Sequence, residues 1–207
     1  MKAALALLIA TGTSFGIAAP AFAQNSGEAA GIRVAEKNAI ELMSCFTRSE
    51  QRKAAAVIAL EPGSEPEAKA FMGLFDSARL CVPRGKKVQT QGVSLRGVLA
   101  EQLYLKAYRA AGPATGGKDP AWLSQPVHKP YAVVQCAAAR DPAAADALVR
   151  TKWHSPEEAA AVSAVLPAIT ACADGRTVNF DSTILRGLLA EGLFRARGGM
   201  SASEGSN

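Results

Sequence analysis

The chain is poor in the residues that mark common active sites. Its 207 residues include two histidines, His128 and His154, and four cysteines, none of which forms a C-x-x-C pair. Neither histidine is near a cysteine in sequence, which argues against the usual zinc sites. Aromatic residues make up 6% of the chain and are not interleaved with basic ones. We therefore expect no metal or other cofactor and no nucleic-acid partner.

Long apolar runs are also scarce, and the exception is at the start. Lys2 precedes the apolar residues 3–10, and Ala21-Phe22-Ala23 forms an A-x-A cleavage site. This pattern is typical of a secretory signal peptide, here residues 1–23. An uncleaved membrane anchor is the alternative, because residues 3–23 are long enough to span a bilayer. No later stretch is apolar enough, so we expect a periplasmic or secreted protein without a membrane span after cleavage.

The charge is basic but mixed. The formal net charge is +5, and Lys and Arg alternate with Asp and Glu along most of the chain, which is typical of a solvated surface. A basic cluster comprises Arg79, Arg84, Lys86 and Lys87. The partner is unknown from sequence; an envelope protein or an anionic surface would suit this cluster, although charged loops are usually only solvated.

The four cysteines have a regular spacing. Cys45 and Cys81 are 36 residues apart, and so are Cys136 and Cys172. An even number of cysteines in an exported chain predicts disulfides, and the spacing favours Cys45 with Cys81 and Cys136 with Cys172. Crossed pairings stay open at this point.

The cysteines belong to a longer internal repeat. Ser64 and Glu67 correspond to Ser155 and Glu158 at a shift of 91 residues, and both pairs have the spacing of a helix capping box. Beyond the second cysteine of each copy the shift becomes 90. Residues 95–104 then align with residues 185–194, with identity at seven of the ten positions. The sequence therefore predicts two copies of one unit.

We expect an all-α fold of two tandem repeats, each a disulfide-stapled unit of roughly four helices. The first repeat is placed at 24–111, a Pro/Gly-rich connector at 112–130, the second repeat at 131–197 and a disordered tail at 198–207. Pro167 is expected to kink or end its helix. The predicted helices span 36–47, 49–60, 65–80, 93–111, 131–139, 142–150, 156–171 and 182–197.

Hydrophobic spacing also predicts which faces of two helices are buried. The predicted apolar face of helix 65–80 contains Ala68, Phe71, Met72 and Phe75. That of helix 156–171 contains Ala159, Val162, Val165 and Leu166.

The repeated Leu-Arg-Gly helix carries the candidate site. Gly97 and Gly187 are each unfavourable in a helix interior by about 1 kcal/mol relative to alanine, which suggests a second helix crossing close by. Arg96 and Glu101 are five residues apart, so they cannot form an i,i+4 pair. One hypothesis pairs Arg96 with Glu191, and Arg186 with Glu101, across the interface between repeats. The competing interpretation is independent surface charges or bonds to nearby loop carbonyls.

These observations do not define an activity. The segment 92–97 is G-x-S-x-x-G, not the G-x-S-x-G of a nucleophile elbow, and we assign no catalytic residue. We expect a non-enzymatic exported protein that binds a partner or ligand at the interface between repeats. The alternatives are a small secreted enzyme that uses Arg and Glu at this interface, or a structural envelope or stress protein.

Overall fold

The structure is a computed structural model that describes residues 26–82, 90, 94–110, 121–125, 129–178 and 180–198. Within these ranges it contains eight α-helices, two short 3-10 turns and no strand, so the all-α class is confirmed. The elements in chain order are α1 (Ser26–Ser49), α2 (Gln51–Ala59), α3 (Glu65–Ser77), a 3-10 turn (Arg79–Cys81), α4 (Leu95–Ala107), a 3-10 turn (Ala121–Ser124), α5 (Lys129–Arg140), α6 (Pro142–Arg150), α7 (Pro156–Ala173) and α8 (Ser182–Ala196).

Helices α4 and α8 form the centre of the molecule. They pack against each other, with α1 and α2 against α4, and α5 and α6 against α8. Helix α3 covers α2, and α7 covers α5 and α6. Every residue from 185 to 194 is buried, as are residues 96–101 on α4. A helix that is buried on all sides carries apolar residues around its circumference, which explains the runs of leucine and alanine in both segments.

The buried faces of α3 and α7 differ from those predicted. Met72 and Leu166 are exposed, at 69% and 47% of their surface, as are Ala68 and Ala159. Val165 is the one predicted residue of α7 that is buried. The two buried faces run instead through matching positions: Glu67, Leu74 and Ala78 on one side, and Glu158, Val165 and Ile169 on the other. Phe71, Phe75 and Val162 are partly buried and pack against the core, so the prediction holds for these residues and for Val165. It was wrong for Met72, Leu166 and the two alanines, because each buried face includes a glutamate in their place.

Two helices are longer than predicted. Helix α1 begins at Ser26, ten residues before the predicted start at 36, and its added part buries Ala35 against the rest of the protein. Helix α7 does not end at Pro167 but continues to Ala173. Proline removes one backbone donor, and Pro167 is on the exposed face of α7, while Cys172 ties the last turn to α5. The other boundaries differ from prediction by four residues or fewer.

Several predicted segments are outside the described residues. They include the signal peptide at 1–23, His128, the basic residues Arg84, Lys86 and Lys87, and all of the predicted tail except Gly198. Most of the connector at 112–130 is also outside, but its last two residues begin helix α5. Among the helices in the described ranges, none combines the length and the hydrophobicity that a bilayer span requires.

All four cysteines form disulfides. Cys45 bonds to Cys81, and Cys136 bonds to Cys172, with Cα–Cα distances of 5.6 and 5.9 Å. The first disulfide ties α1 to the 3-10 turn after α3, and the second ties α5 to the last turn of α7. The predicted pairing of Cys45 with Cys81 and of Cys136 with Cys172 is thus confirmed. Each disulfide closes a chain loop of similar length and, on the chain-entropy model, stabilises the fold by about 4 kcal/mol before any strain.

Replacing Cys136 and Cys172 together with serine should lower the free energy of unfolding by about 2–4 kcal/mol, because the unfolded chain regains the loop freedom that the bond removes. Urea denaturation measures the effect, and the C45S/C81S pair should lose a similar amount. Non-reducing peptide mapping of the unmodified protein provides the control. A peptide joining Cys81 to Cys136 would contradict this architecture.

Candidate functional site

The crossing of α4 and α8 occurs at a pair of glycines. A β-carbon added to Gly187 would be 2.5 Å from the Cα of Gly97, and one added to Gly97 would be 3.1 Å from the Cα of Gly187. The first distance is too short for any side chain to fit without moving the backbone. The two helices therefore touch through their main chains, as the glycines in the repeated motif suggest. This contact brings the flanking charged residues of each helix within reach of the other helix.

Arg96 is the buried charge next to the crossing on α4. Its Nε and Nη2 donate to both carboxylate oxygens of Glu191 on α8, at 3.0 and 2.7 Å. Its Nη1 also donates to Glu67 on α3 at 2.6 Å. The remaining bonds go to carbonyl oxygens at the end of α2: Val57 at 3.2 Å, Ile58 at 2.8 Å and Leu60 at 3.0 Å.

Arg186 has a matching set of partners. Its Nε donates to Glu101 on α4 at 2.9 Å, and its Nη1 reaches Glu158 on α7 at 3.3 Å. Its Nη2 donates to the carbonyl oxygens of Val149 and Thr151, at the end of α6. The side chain of Arg186 is 2% exposed and that of Glu101 is 3% exposed, so water does not compete for these bonds. Both arginines thus bind the glutamate of the opposite central helix and nearby carbonyls as well.

Burial affects the ionisation of these groups. Desolvation raises the pKa of Glu101, and the bonds from Arg186 and from the Trp153 indole, which lower it, offset this only in part. Burial lowers the pKa of Arg96, but the carboxylates of Glu191 and Glu67 raise it by more, so the net effect is a raised pKa. Arg96 therefore stays charged, while a charge on Glu101 is less favourable than in water.

Glu67 and Glu158 each serve a helix start and an arginine. Ser64 and Ser155 cap α3 and α7 as predicted, each accepting a bond from the backbone N–H three residues on, at 3.2 Å. In return, one oxygen of Glu67 accepts the N–H of Gly63 at 2.5 Å, and one oxygen of Glu158 accepts the N–H of His154 at 2.6 Å. The other oxygen of each glutamate binds the arginine. The capping boxes therefore fix two arginine ligands in position.

A groove on the surface is lined by residues other than these buried charges. The groove, of about 630 Å³, lies between α1 and the loop that joins α6 to α7. Neither Arg96, Glu101, Arg186 nor Glu191 lines it. The α1 side presents one helical stripe, and the loop together with the first residue of α7 contributes five consecutive residues. They are Arg33, Glu36, Lys37, Ile40 and Glu41 on α1, Lys152, Trp153, His154 and Ser155 in the loop, and Pro156 at the start of α7.

His154 holds a backbone conformation that is uncommon for residues other than glycine. Its φ is 60°, in the left-handed region, which costs a non-glycine residue roughly 1–2 kcal/mol. Its ring Nε2 is 2.5 Å from Oε2 of Glu36, which is buried in α1. The other oxygen of Glu36 accepts a bond from Thr183 at the start of α8. His154 is exposed at the surface, but its ring nitrogen is tied to this buried carboxylate.

Trp153 connects the groove to the buried charges. Its Nε1 donates to Oε1 of Glu101 at 3.1 Å, and the guanidinium of Arg186 is 5.6 Å from the centre of its ring. The matching carboxylate, Glu191, accepts a bond from Arg195. The indole is therefore held from behind by two buried charged groups, while its ring lines the groove.

Sequence reasoning missed Glu36, Trp153 and His154 as site residues. One signal was available: a shift of 91 places Trp153 and His154 opposite Pro62 and Gly63. A Pro-Gly pair is typical of a tight turn with a positive φ at the glycine, and Gly63 does have a φ of 76°. This alignment would have predicted a strained histidine in the second loop.

Comparison with known proteins does not extend the assignment. No protein-family model, curated protein or solved structure matches the chain. Any function must therefore be argued from the geometry above.

Substituting Gly187 with alanine should destabilise the protein by about 1–3 kcal/mol, because the new β-carbon would overlap the main chain of Gly97. The control is G73A on α3, where a β-carbon would meet nothing within 4 Å. That change should stabilise the helix by up to about 1 kcal/mol. Thermal and urea unfolding of both variants measure the difference; equal effects would rule out a close crossing.

Substituting Arg186 with methionine should cost about 3–5 kcal/mol, because it leaves the carboxylates of Glu101 and Glu158 buried without a counter-charge. E101Q should cost less, since burial already disfavours the Glu101 charge and Arg186 keeps its other partners. The exposed Lys37–Glu41 pair provides a control, and E41Q should change stability by less than about 0.5 kcal/mol. Urea denaturation ranks the three variants, and an R186M protein as stable as E41Q would contradict the assignment.

Proposed function

We propose that the chain is an exported, non-enzymatic binding protein built from two equivalent helical units. The units are the predicted repeats at 24–111 and 131–197. Matching contacts support the equivalence of the two units. Each unit supplies an arginine, a capping-box glutamate and the carbonyl oxygens at the end of its second helix. A disulfide closes each unit at the same internal spacing. Two disulfides also suit an oxidising compartment such as the periplasm or the extracellular space.

The four residues Arg96, Glu101, Arg186 and Glu191 are proposed as a clamp between the units. All four are buried, and each arginine binds the glutamate of the other unit. None of them reaches the groove, and catalysis requires a group that touches the substrate. This groove therefore gives no support to the alternative of an enzyme that uses these Arg and Glu residues. Their role in this proposal is structural.

Charge reversal is a poor test of this clamp. A glutamate in place of Arg96 would face Glu67 and three carbonyl oxygens, so a reversed Glu191 could not rescue it. A double-mutant cycle with R96M and E191Q avoids the repulsion. Equivalence of the units implies that its coupling energy resembles that of the R186M and E101Q cycle.

The groove is the feature of the structure that supports a binding function. It lies between α1 of the first proposed unit and residues 152–156 of the second, and its volume of about 630 Å³ suits a small molecule. Its wall includes Trp153, which is held in place from the core, and His154, whose backbone conformation is unfavourable. Unfavourable conformations of this kind concentrate at functional sites. The ligand is thus expected at the interface between units, as the repeat organisation suggests.

A fragment screen by NMR tests this site. In a W122F background Trp153 supplies the remaining indole N–H signal, so that signal reports on the groove. We expect fragments to shift it together with the amides of residues 33–41 and 152–156. The variant K37Y should weaken these shifts by placing a ring in the groove, while K53Y, a matched change on the exposed surface of α2, should leave them unchanged. Shifts confined to other surfaces would contradict the proposal.

A further inference from the structure

On the proposed binding function, the charges of the residues that line the groove indicate the class of ligand that it selects. Its acidic residues are already engaged. Both oxygens of Glu36 accept hydrogen bonds, from His154 and Thr183, and Glu36 is 5% exposed. Glu41 pairs with Lys37 across 3.9 Å. Glu36 is therefore closed to a new ligand, and the charges of Glu41 and Lys37 offset each other.

Two of the three Lys and Arg residues that line the groove have no such partner in the described part of the chain. Arg33 and Lys152 are exposed, and their side chains make no ion pair or hydrogen bond with any residue in the described part of the chain. One belongs to α1 and the other to the loop, so the two cations flank the groove from both sides. An anionic group would gain charge-assisted bonds there without displacing an existing partner.

The rest of the groove is largely apolar. Ile40 and Trp153 are half-buried, and Pro156 begins α7 beside them. The indole of Trp153 is fixed by Glu101 and Arg186, so it loses little freedom when a ligand packs on it. Aromatic faces favour stacked or edge-on contact with another flat ring.

We propose that this groove binds a small organic anion with a flat apolar body. The body packs on Trp153 and Ile40, and the anionic group is bound by Arg33 and Lys152. The loop of the second unit supplies Trp153 and His154 at the positions that match Pro62 and Gly63. Residues 61–65, the matching loop of the first unit, therefore contain no aromatic side chain.

Four probes separate charge from shape: 1-naphthoate, 1-naphthylmethanol, 1-naphthylmethylammonium and inorganic sulfate. Isothermal titration calorimetry of the full mature protein should show 1-naphthoate binding at least about tenfold tighter than the neutral alcohol, because charge-assisted bonds exceed neutral ones by this much. The ammonium compound and sulfate should bind more weakly than 1-naphthoate. The affinity for 1-naphthoate should fall with added salt, since the cations are exposed.

Charge-neutralising variants locate the binding. R33Q/K152Q should lose about tenfold or more in affinity for 1-naphthoate. R52Q/K69Q removes the same charge from exposed residues of α2 and α3 outside the groove and should bind as the unmodified protein does. Equal loss in both variants would overturn the proposal, because it would mean attraction to net charge alone.

The outcomes also distinguish this inference from the proposed function. If the alcohol or the ammonium compound shifts the Trp153 indole signal and binds as tightly as 1-naphthoate, the groove is a binding site but the preference for anions is wrong. If no probe binds and the fragment screen is silent at Trp153, both proposals fail.

Discussion

The burial of two guanidinium groups is the constraint on which the arrangement of the helices depends. Removing an arginine from water costs several kcal/mol, and the cost is offset only when its donors all find acceptors with good geometry. Arg96 meets this requirement with acceptors from α2, α3 and α8, and Arg186 with acceptors from α4, α6 and α7. A shift of any one of these helices would leave a buried charge without a partner.

The close contact of α4 and α8 at Gly97 and Gly187 lets each arginine bind a glutamate of the other helix. Arg96 and Gly97 are adjacent, as are Arg186 and Gly187, so each arginine leaves its helix at the point where the two backbones touch. With a larger residue at the crossing the helices would separate, and each bond from arginine to the opposite glutamate would lengthen. In the Leu-Arg-Gly motif, glycine therefore sets the distance between α4 and α8, and this short distance lets each arginine bind the glutamate of the opposite helix.

Local patterns in the sequence predicted the helices, the serine caps and the disulfides, because each depends on residues close in the chain or on the cysteine spacing. The hypothesis that pairs Arg96 with Glu191 came from the repeat, since the five-residue spacing excluded a partner on the same helix. The buried faces of α3 and α7 were missed in part because Glu67 and Glu158 were given only a capping role. The groove was missed because it forms where α1 contacts a loop more than 100 residues away in the chain, and no local pattern predicts such a contact.

The difference between the two loops is the strongest reason to expect a function beyond folding. Both loops must hold a capping-box glutamate through a backbone N–H at a positive φ, and glycine does this at position 63 without strain. His154 performs the same backbone role at a conformational cost, and Trp153 beside it replaces a proline. The bond from Trp153 to Glu101 compensates in part, but Arg195 shows that such a glutamate can be satisfied without an aromatic residue in the loop. Both side chains also serve the fold, Trp153 through Glu101 and Arg186 and His154 through Glu36, and in the proposed function the same two side chains line the binding groove.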